Sequence, residues 1–337
     1  MVTLYVTSSE RATGKTAICA GLGKYLLSDG RKVGFLKPLI AGGNNLPIEG
    51  SDSDTVFMKH ILALEEPLDY LCPVISDQSN LINSVREAHA KVSPGKDVVI
   101  VEGYGLDKAS YIIAGALGAM VIIIESYSEQ SPKAELIDSY KGFGEHLLGV
   151  VVNKVPRSRL EQVSEEMAAR FGEAGISILG VLPEDRTLFA LTVAELAQYI
   201  QGEILSHADK SAELVENFML GAKAVDPGPE YFSRKTNKAV VVRSERPDMQ
   251  LAALETPTTC LVLSGDTPPI PTVLYGAEVK NIPIILTKAD TTSIVTSIED
   301  ALGNAKFNQE KKLPKLTEIM KQRFDFQALY RGLGLAD

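Results

Sequence analysis

Apolar residues in the first half of the chain gather in short runs, Val2–Val6, Val33–Leu36, Val98–Val101, Val121–Ile124, Leu147–Val152 and Ile176–Leu182. Between them lie stretches whose apolar positions recur at helical spacing. The runs are rich in β-branched residues and apolar throughout, so each predicts a strand covered on both faces rather than one with a wet side. Such strands alternating with helices predict an α/β fold, a mostly parallel sheet with helices on both faces. The alternation breaks between Pro183 and Thr192, and a new helix begins at Val193. Beyond it the pattern reads as a helical pair reaching Gly221-Ala222 and a loop at Pro227-Gly228-Pro229. Strands follow at Lys238–Val242, Cys260–Leu263 and Ile282–Leu286, interleaved with helices, so the second half is a smaller α/β unit. A closing amphipathic helix centres on Leu316, Ile319 and Met320. The domains expected are 1–190 and 191–305, with a helical tail at 306–337.

In parallel sheets, ligands bind beyond the carboxyl ends of the strands, so the residues after each run are where chemistry is sought. The first run leads through Ser8-Ser9-Glu10-Arg11-Ala12-Thr13-Gly14-Lys15-Thr16 into a helical stretch. A helix N-terminus offers unpaired N–H groups and partial positive charge, and so favours phosphate. In a phosphate-binding loop of this kind Lys15 reaches the β/γ-phosphates and the Thr16 hydroxyl ligates Mg²⁺. Ser9 stands where that loop usually has its first glycine. The second run ends in Lys37-Pro38, where Lys37 is either a second charge against a triphosphate or a solvated lysine. In Gly50-Ser51-Asp52-Ser53-Asp54, either aspartate is a helix N-cap or a magnesium ligand. The third run ends Val101-Glu102-Gly103-Tyr104-Gly105, an acid after a buried strand, as at the Mg²⁺ site of P-loop enzymes. Glycines there would let backbone approach a ligand. Asn153, after the fifth run, is a base contact or a turn residue. Leu182-Pro183-Glu184 closes the sixth on the same edge.

Composition narrows this. The 337 residues are 45% hydrophobic and 23% charged, as in an ordinary globular protein. A net charge of −9 argues against a general nucleic-acid or membrane-surface binder, so phosphate must be held locally. Cys19, Cys72 and Cys260 have no metal-ligand spacing and are expected as reduced core residues. No signal-peptide layout and no apolar run of spanning length are evident, and a cytoplasmic location is expected. His60, His89, His146 and His207 form no cluster with acids or serines in the sequence, and no catalytic role is expected of them.

Thr7-Ser8-Ser9-Glu10 through Gly14-Lys15-Thr16, Lys37-Pro38, Asp54, Val101-Glu102-Gly103, Val152-Asn153 and Gly180-Val181-Leu182-Pro183 together resemble the dethiobiotin synthetase-like branch of P-loop proteins. That branch includes cobyrinic acid a,c-diamide synthases. The resemblance implies ATP and Mg²⁺, with Thr13, Gly14, Lys15, Thr16 and Lys37 at the phosphates and Thr16, Asp54 and Glu102 at the metal. It implies Asn153 at the adenine base and Pro183 among the nucleotide-binding residues. The passage Arg243–Thr256, with Leu263-Ser264-Gly265-Asp266 and Pro268–Pro271, resembles the module called DRTGG. Members carry Thr-Gly-Gly-Asp-Arg where this chain has Val242-Arg243-Ser244-Glu245-Arg246, so close approach of a ligand to two glycines is lost. In this order the two modules resemble the N-terminal region of long bacterial phosphotransacetylases and their stand-alone relatives.

The resemblance implies a nucleotide-binding protein, with slow ATP hydrolysis or none, whose second domain senses a small molecule or mediates association. Pairing of two copies is a further implication. Acetyl transfer to phosphate is not expected, because no acetyltransferase domain follows Gly332-Leu333-Gly334. One alternative is an ATP-dependent ligase that activates a carboxylate or carbamate, with Lys15 and Lys37 stabilising the transferring phosphoryl group. Against it, Leu39-Ile40-Ala41-Gly42-Gly43 and Gly103-Tyr104-Gly105-Leu106 lack the substrate loops of such ligases, and Tyr104 and Leu106 crowd the second. A further alternative is a structural module with a degenerate loop.

Overall fold

The computed structural model describes residues 1–40, 52–129, 134–221 and 228–335. It divides into two compact units, 1–185 together with 307–337, and 186–306. The sequence-predicted loop at Ala41-Gly42-Gly43, the residues Gly50-Ser51 and the turn beginning at Pro227 lie in part or wholly outside the described residues.

The first unit is built on β1 (Val2–Ser8), β2 (Val33–Leu36), β3 (Val98–Glu102), β4 (Met120–Ser126), β5 (Leu147–Val155) and β6 (Ile178–Pro183). All are parallel, in the order β2-β3-β1-β4-β5-β6. Leu4, Ile100, Val101, Ile122, Ile123 and Val151 are fully buried, which is why these strands read as continuous apolar runs. Each such side chain contributes roughly 1.5–3 kcal/mol by leaving water. Since the strands run the same way, the residues after every apolar run arrive at one edge of the sheet. From that edge α1 (Lys15–Ser28) leaves β1, and α2 (Ser53–Ile61) follows β2.

The tail forms two helices, Leu313–Arg323 and Phe326–Leu333, packed on this same unit. Leu316, Ile319 and Met320 are buried, and the ring of Phe326 stacks on Tyr25 of α1 with centroids 3.5 Å apart. A side chain at Gly21 of α1 would overlap Met320. Between the helices Phe324 makes an antiparallel bridge to Gly180 of β6, and Asp325 N–H donates to the Leu179 carbonyl at 2.7 Å. The tail therefore completes the first unit's core.

The second unit carries β7 (Glu203–Ile204), β8 (Asn217–Leu220), β9 (Lys238–Arg243), β10 (Thr258–Ser264) and β11 (Ile284–Thr287), ordered β7-β11-β10-β9-β8. Only β7 is antiparallel to its neighbour. Val240, Val242, Leu261 and Leu263 face one apolar layer, while Ala239, Val241, Cys260 and Val262 face the other. This is the two-residue alternation of a sheet covered on both sides. The helical pair expected before Gly221 is corrected here. One α-helix, Val193–Tyr199, is present, followed by a single 3-10 turn at Ala208–Lys210 and short strands at Glu203–Ile204, Leu214–Val215 and Asn217–Leu220 joined by loops. The stretch is too short to carry a clear period, and β8 gains a full ladder along β9 and buries Met219 against the first layer. Tertiary pairing overrides local pattern in such short segments. Cys19 and Cys260 are buried free thiols, whereas Cys72 is partly exposed rather than a core residue. Among the described residues no helix is long and apolar enough to cross a membrane.

A Cβ at Gly180 would stand 2.7 Å from the Arg323 carbonyl oxygen, which is backbone and cannot step aside. Gly180→Val is therefore expected to lower the unfolding free energy by roughly 1–3 kcal/mol in urea denaturation.

Candidate functional site

The loop after β1 curls through Ala12, at φ 55°, and Gly14, at φ 98°, before α1 begins. Gly14 is required twice over: its backbone is left-handed, and a Cβ there would sit 2.5 Å from Asn153 Nδ2. Two donors at the end of β5 hold the loop from below. Asn153 Nδ2 donates to the Thr13 carbonyl at 2.8 Å, and Lys154 Nζ donates to the Ala12 carbonyl at 2.6 Å. With those carbonyls turned down, a run of backbone N–H groups is left to the opposite side, the nest geometry that suits an anion. Asn153 thus has a contact that sequence reasoning did not foresee. The Thr13 side chain is buried, and its hydroxyl has no hydrogen-bond partner.

Lys15 and Thr16 open α1. Lys15 Nζ donates to Ser8 Oγ at 2.7 Å, and burial lowers its pKa against the opposing pull of Glu102. Thr16 Oγ1 lies 2.9 Å from Glu102 Oε1 and 3.4 Å from Asp54 Oδ2. Lys37 Nζ reaches Asp54 at 2.7 Å, Asp52 at 3.0 Å and Glu102 at 3.5 Å. Burial works against the Lys37 ammonium, but Glu102, Asp54 and Asp52 together outweigh it and hold the group charged. Glu102 is pushed up by burial, with Lys37 the main opposing influence. Asp52 goes the other way: Lys37 and Thr55 outweigh its burial and lower it.

The two aspartates divide the work that the sequence left open. Asp52 is the N-cap of α2, its Oδ2 accepting from Thr55 N–H at 2.9 Å. Asp54, in the first turn, points to Thr16 and Lys37. Lys37, read equally as a solvated lysine, is largely buried at the centre of the cluster. Lys15, Thr16, Lys37, Asp54 and Glu102 are thus brought together, and Asn153 joins them through the loop. Pro183 ends β6 at the edge of the sheet, three places from β1. Gly103 corrects an expectation: a side chain there would overlap the Tyr5 ring, so this glycine serves core packing rather than approach of a ligand. Over the loop, Arg11 Nη2 donates to the Tyr104 hydroxyl at 3.1 Å.

Sequence reasoning passed over Glu125, the acid that follows the fourth apolar run. It is buried, and its Oε2 accepts from Ser9 Oγ at 2.8 Å. Its position after a buried strand was a signal of the same kind that singled out Glu102. The histidines lie apart from this site: His60 meets Glu310 at 3.2 Å, His207 faces Glu278 at 3.2 Å, and His89 bonds Thr3 at 3.0 Å. These acid and hydroxyl partners are distant in the chain and were invisible in the sequence.

In the second unit the strand end that departs from the DRTGG pattern is tightly occupied. Gln250 Nε2 donates to the carbonyls of Arg243 at 2.9 Å and Ser244 at 3.0 Å. Gly265, at φ 119°, makes room for Ser244, whose Oγ lies 2.5 Å from where a Cβ would be. Arg246 pairs with Asp248 at 2.7 Å.

Residues 2–191 match the family model described as an AAA domain, over more than half of the chain, and the protein belongs to this family of P-loop domains. Residues 195–301 match the DRTGG domain. The whole chain is similar to a phosphate acetyltransferase of Nitrosomonas europaea, 23% identical over 99% of this chain and 52% of the relative. It is likewise similar to the phosphate acetyltransferase of Pseudomonas aeruginosa, 26% identical over 99% of this chain and 52% of the relative. The chain spans about half the length of the curated relatives it matches. Among solved structures, the MinD cell division protein of Aquifex aeolicus is similar at 17% identity, over 56% of this chain and 84% of that one, with a TM-score of 0.36.

Removing the shared cation isolates the energetics of the cluster. Lys37→Met leaves Glu102 buried without its counter-charge and is expected to cost roughly 3–5 kcal/mol of stability at pH 7. Glu102 is already pushed up by burial and takes up a proton more readily once Lys37 is gone, so the difference from the native protein shrinks as the pH falls, as checked by denaturant unfolding at pH about 7 and about 5.

Proposed function

We propose that the first unit binds ATP with Mg²⁺ and that the second unit makes the chain a nucleotide-responsive regulatory module rather than a biosynthetic ligase. The observation that carries the reading is the meeting of Lys15, Thr16, Lys37, Asp54 and Glu102 at the mouth of one loop whose carbonyls are tied back. The site suits the group chemically. One hydroxyl and two carboxylates supply hard oxygen ligands, and Glu102 Oε2 is buried without a hydrogen-bond partner. Mg²⁺ ordinarily takes one or two carboxylates and completes its shell with phosphate oxygens and waters, which these few ligands would suit.

Bound Mg²⁺ supplies charge neutralisation and polarisation at the phosphoryl group. Thr16, Asp54 and Glu102 would hold it. Lys15 and Lys37 place two positive charges beside the phosphates, with Thr13 and Gly14 in the loop around them, and Asn153 lies toward the base, with Pro183 among the nucleotide-binding residues. The preference for regulation over ligation rests on Tyr104. It follows Glu102 by two residues and pairs with Arg11, at a position in the sequence where a ligase of the resembled kind would have bare backbone for a carboxylate. The similarity of nearly the whole chain to half of the phosphate acetyltransferases is consistent with a module that accompanies chemistry done elsewhere. A small-molecule ligand or a second copy of the chain at the DRTGG unit, in the cytoplasm, completes this proposal.

Lys15→Ala is expected to weaken ATP binding about 10- to 100-fold in titration calorimetry, the loss of a charge-assisted contact to phosphate. Unchanged affinity would remove the phosphate assignment. Fast ATP turnover that requires a carboxylate or amine acceptor would instead return the ligase reading.

A further inference from the structure

Glu125 is the unexplained acid of this molecule. It lies one residue before the end of β4, beside β1 on one flank and β5 on the other, where Ser8 is in register with Ile124 and Glu125 with Val152. That places it directly beneath the entrance of the phosphate-binding loop. A buried carboxyl group needs partners. Oε2 accepts the Ser9 hydroxyl at 2.8 Å, and the Ser9 backbone acts on the acid as well. Tyr140, from the helix Ala134–Lys141, is fully buried with its hydroxyl beside the acid, on which it acts from the protein interior. Burial pushes Glu125 up, with Tyr140 and Ser9 opposing; burial and the neighbouring Glu125 push Tyr140 up strongly.

Burying an acid does not serve the apolar core. Its contact to the loop is Ser9, the position at which a phosphate-binding loop usually carries glycine. Ser9 is not among the described residues with positive φ, so the turn at this point does not demand glycine. What the serine adds is a hydroxyl, and the hydroxyl is tied to Glu125. An acid under an anion site repels the anion if it is ionised, and its enclosure in a dry setting limits that repulsion by favouring the neutral form.

We infer that Glu125 is a positioning residue for the phosphate-binding loop: through Ser9 it fixes the loop's first turn, so that the backbone N–H groups further along face the phosphates. Tyr140 shields the acid from water. The inference rests on the nucleotide reading given above.

The test is a double-mutant cycle on ADP and ATP affinity, measured by calorimetry, with thermal unfolding of the nucleotide-free protein alongside. Ser9→Ala and Glu125→Ala are each expected to weaken binding about tenfold, and the double variant no more than either alone, since both remove one contact. Glu125→Gln, which still accepts from Ser9 and carries no charge, is expected to restore native affinity or exceed it. A purely structural role would lower the unfolding temperature without this pattern in affinity. Additive effects, or native affinity in Ser9→Ala, would overturn the inference while leaving the nucleotide reading intact. Ser9→Ala decides this even if Glu125→Ala does not fold. A native chain that binds neither nucleotide would instead overturn the proposed function.

Discussion

One ammonium group organises the working edge of this protein. Lys37 sits at the end of β2, two strands from the loop after β1, and gathers Asp52, Asp54 and Glu102 around its Nζ. Three carboxylates so close together would repel one another strongly in a partly dry setting, and none of them could keep its place alone. With Lys37 present, the start of α2 is drawn against β3, and Thr16 at the mouth of α1 finds oxygen partners from both. The geometry of the strand ends thus depends on one charge as much as on the hydrogen-bonded ladder beneath it. A structural salt bridge is not the whole of its meaning, because buried ion clusters are weak sources of net stability. The arrangement is better understood as an electrostatic reserve: a set of charges whose balance changes when other charges arrive.

Much of this was legible in the chain. The first sheet could be read from Val33–Leu36, Val98–Val101 and Val121–Ile124 because strands buried on both faces leave no polar residue to blur the pattern. Parallel direction then sent Lys37, Glu102 and Asn153 to one edge without any knowledge of contacts. What stayed hidden was pairwise. Nothing in the sequence says that Asp52 caps while Asp54 faces Thr16, since both stand in the same short run and differ only in helical phase. Nor can it say that Asn153 supports Thr13, a contact that spans much of the first domain. Glu125 was missed for a different reason. It follows Val121–Ile124 just as Glu102 follows Val98–Val101, but no recognised motif surrounds it, although a buried acid at a strand's carboxyl end is as informative as any motif. β8 was missed because four residues carry too little periodicity to separate strand from helix, and only its neighbour β9 decides.

The two units treat their strand ends differently. In the first, carbonyls are tied back and cationic and anionic groups are left facing one another. In the second, the end of β9 is filled by its own side chains, with Gln250 bound to the backbone of Arg243 and Ser244, and with Ser244 seated in the space left by Gly265. Gly265, just past the end of β10, is therefore needed where it stands, because any side chain there would meet Ser244.

The Phe324 bridge to Gly180 and the seating of Met320 over Gly21 have a consequence for how the chain is made. The first unit is assembled from two stretches that bracket the second, so the whole of 186–306 leaves the ribosome before the last helices of the first unit exist. During synthesis the α1 surface around Gly21 and Tyr25 has no cover until residues 313–333 have followed. Closure over so long an intervening segment is entropically slow, and exposed apolar surface is where misassembly starts. Completion of the first unit's core therefore waits on synthesis of the residues from 307 onward, after the whole of the second unit has been made.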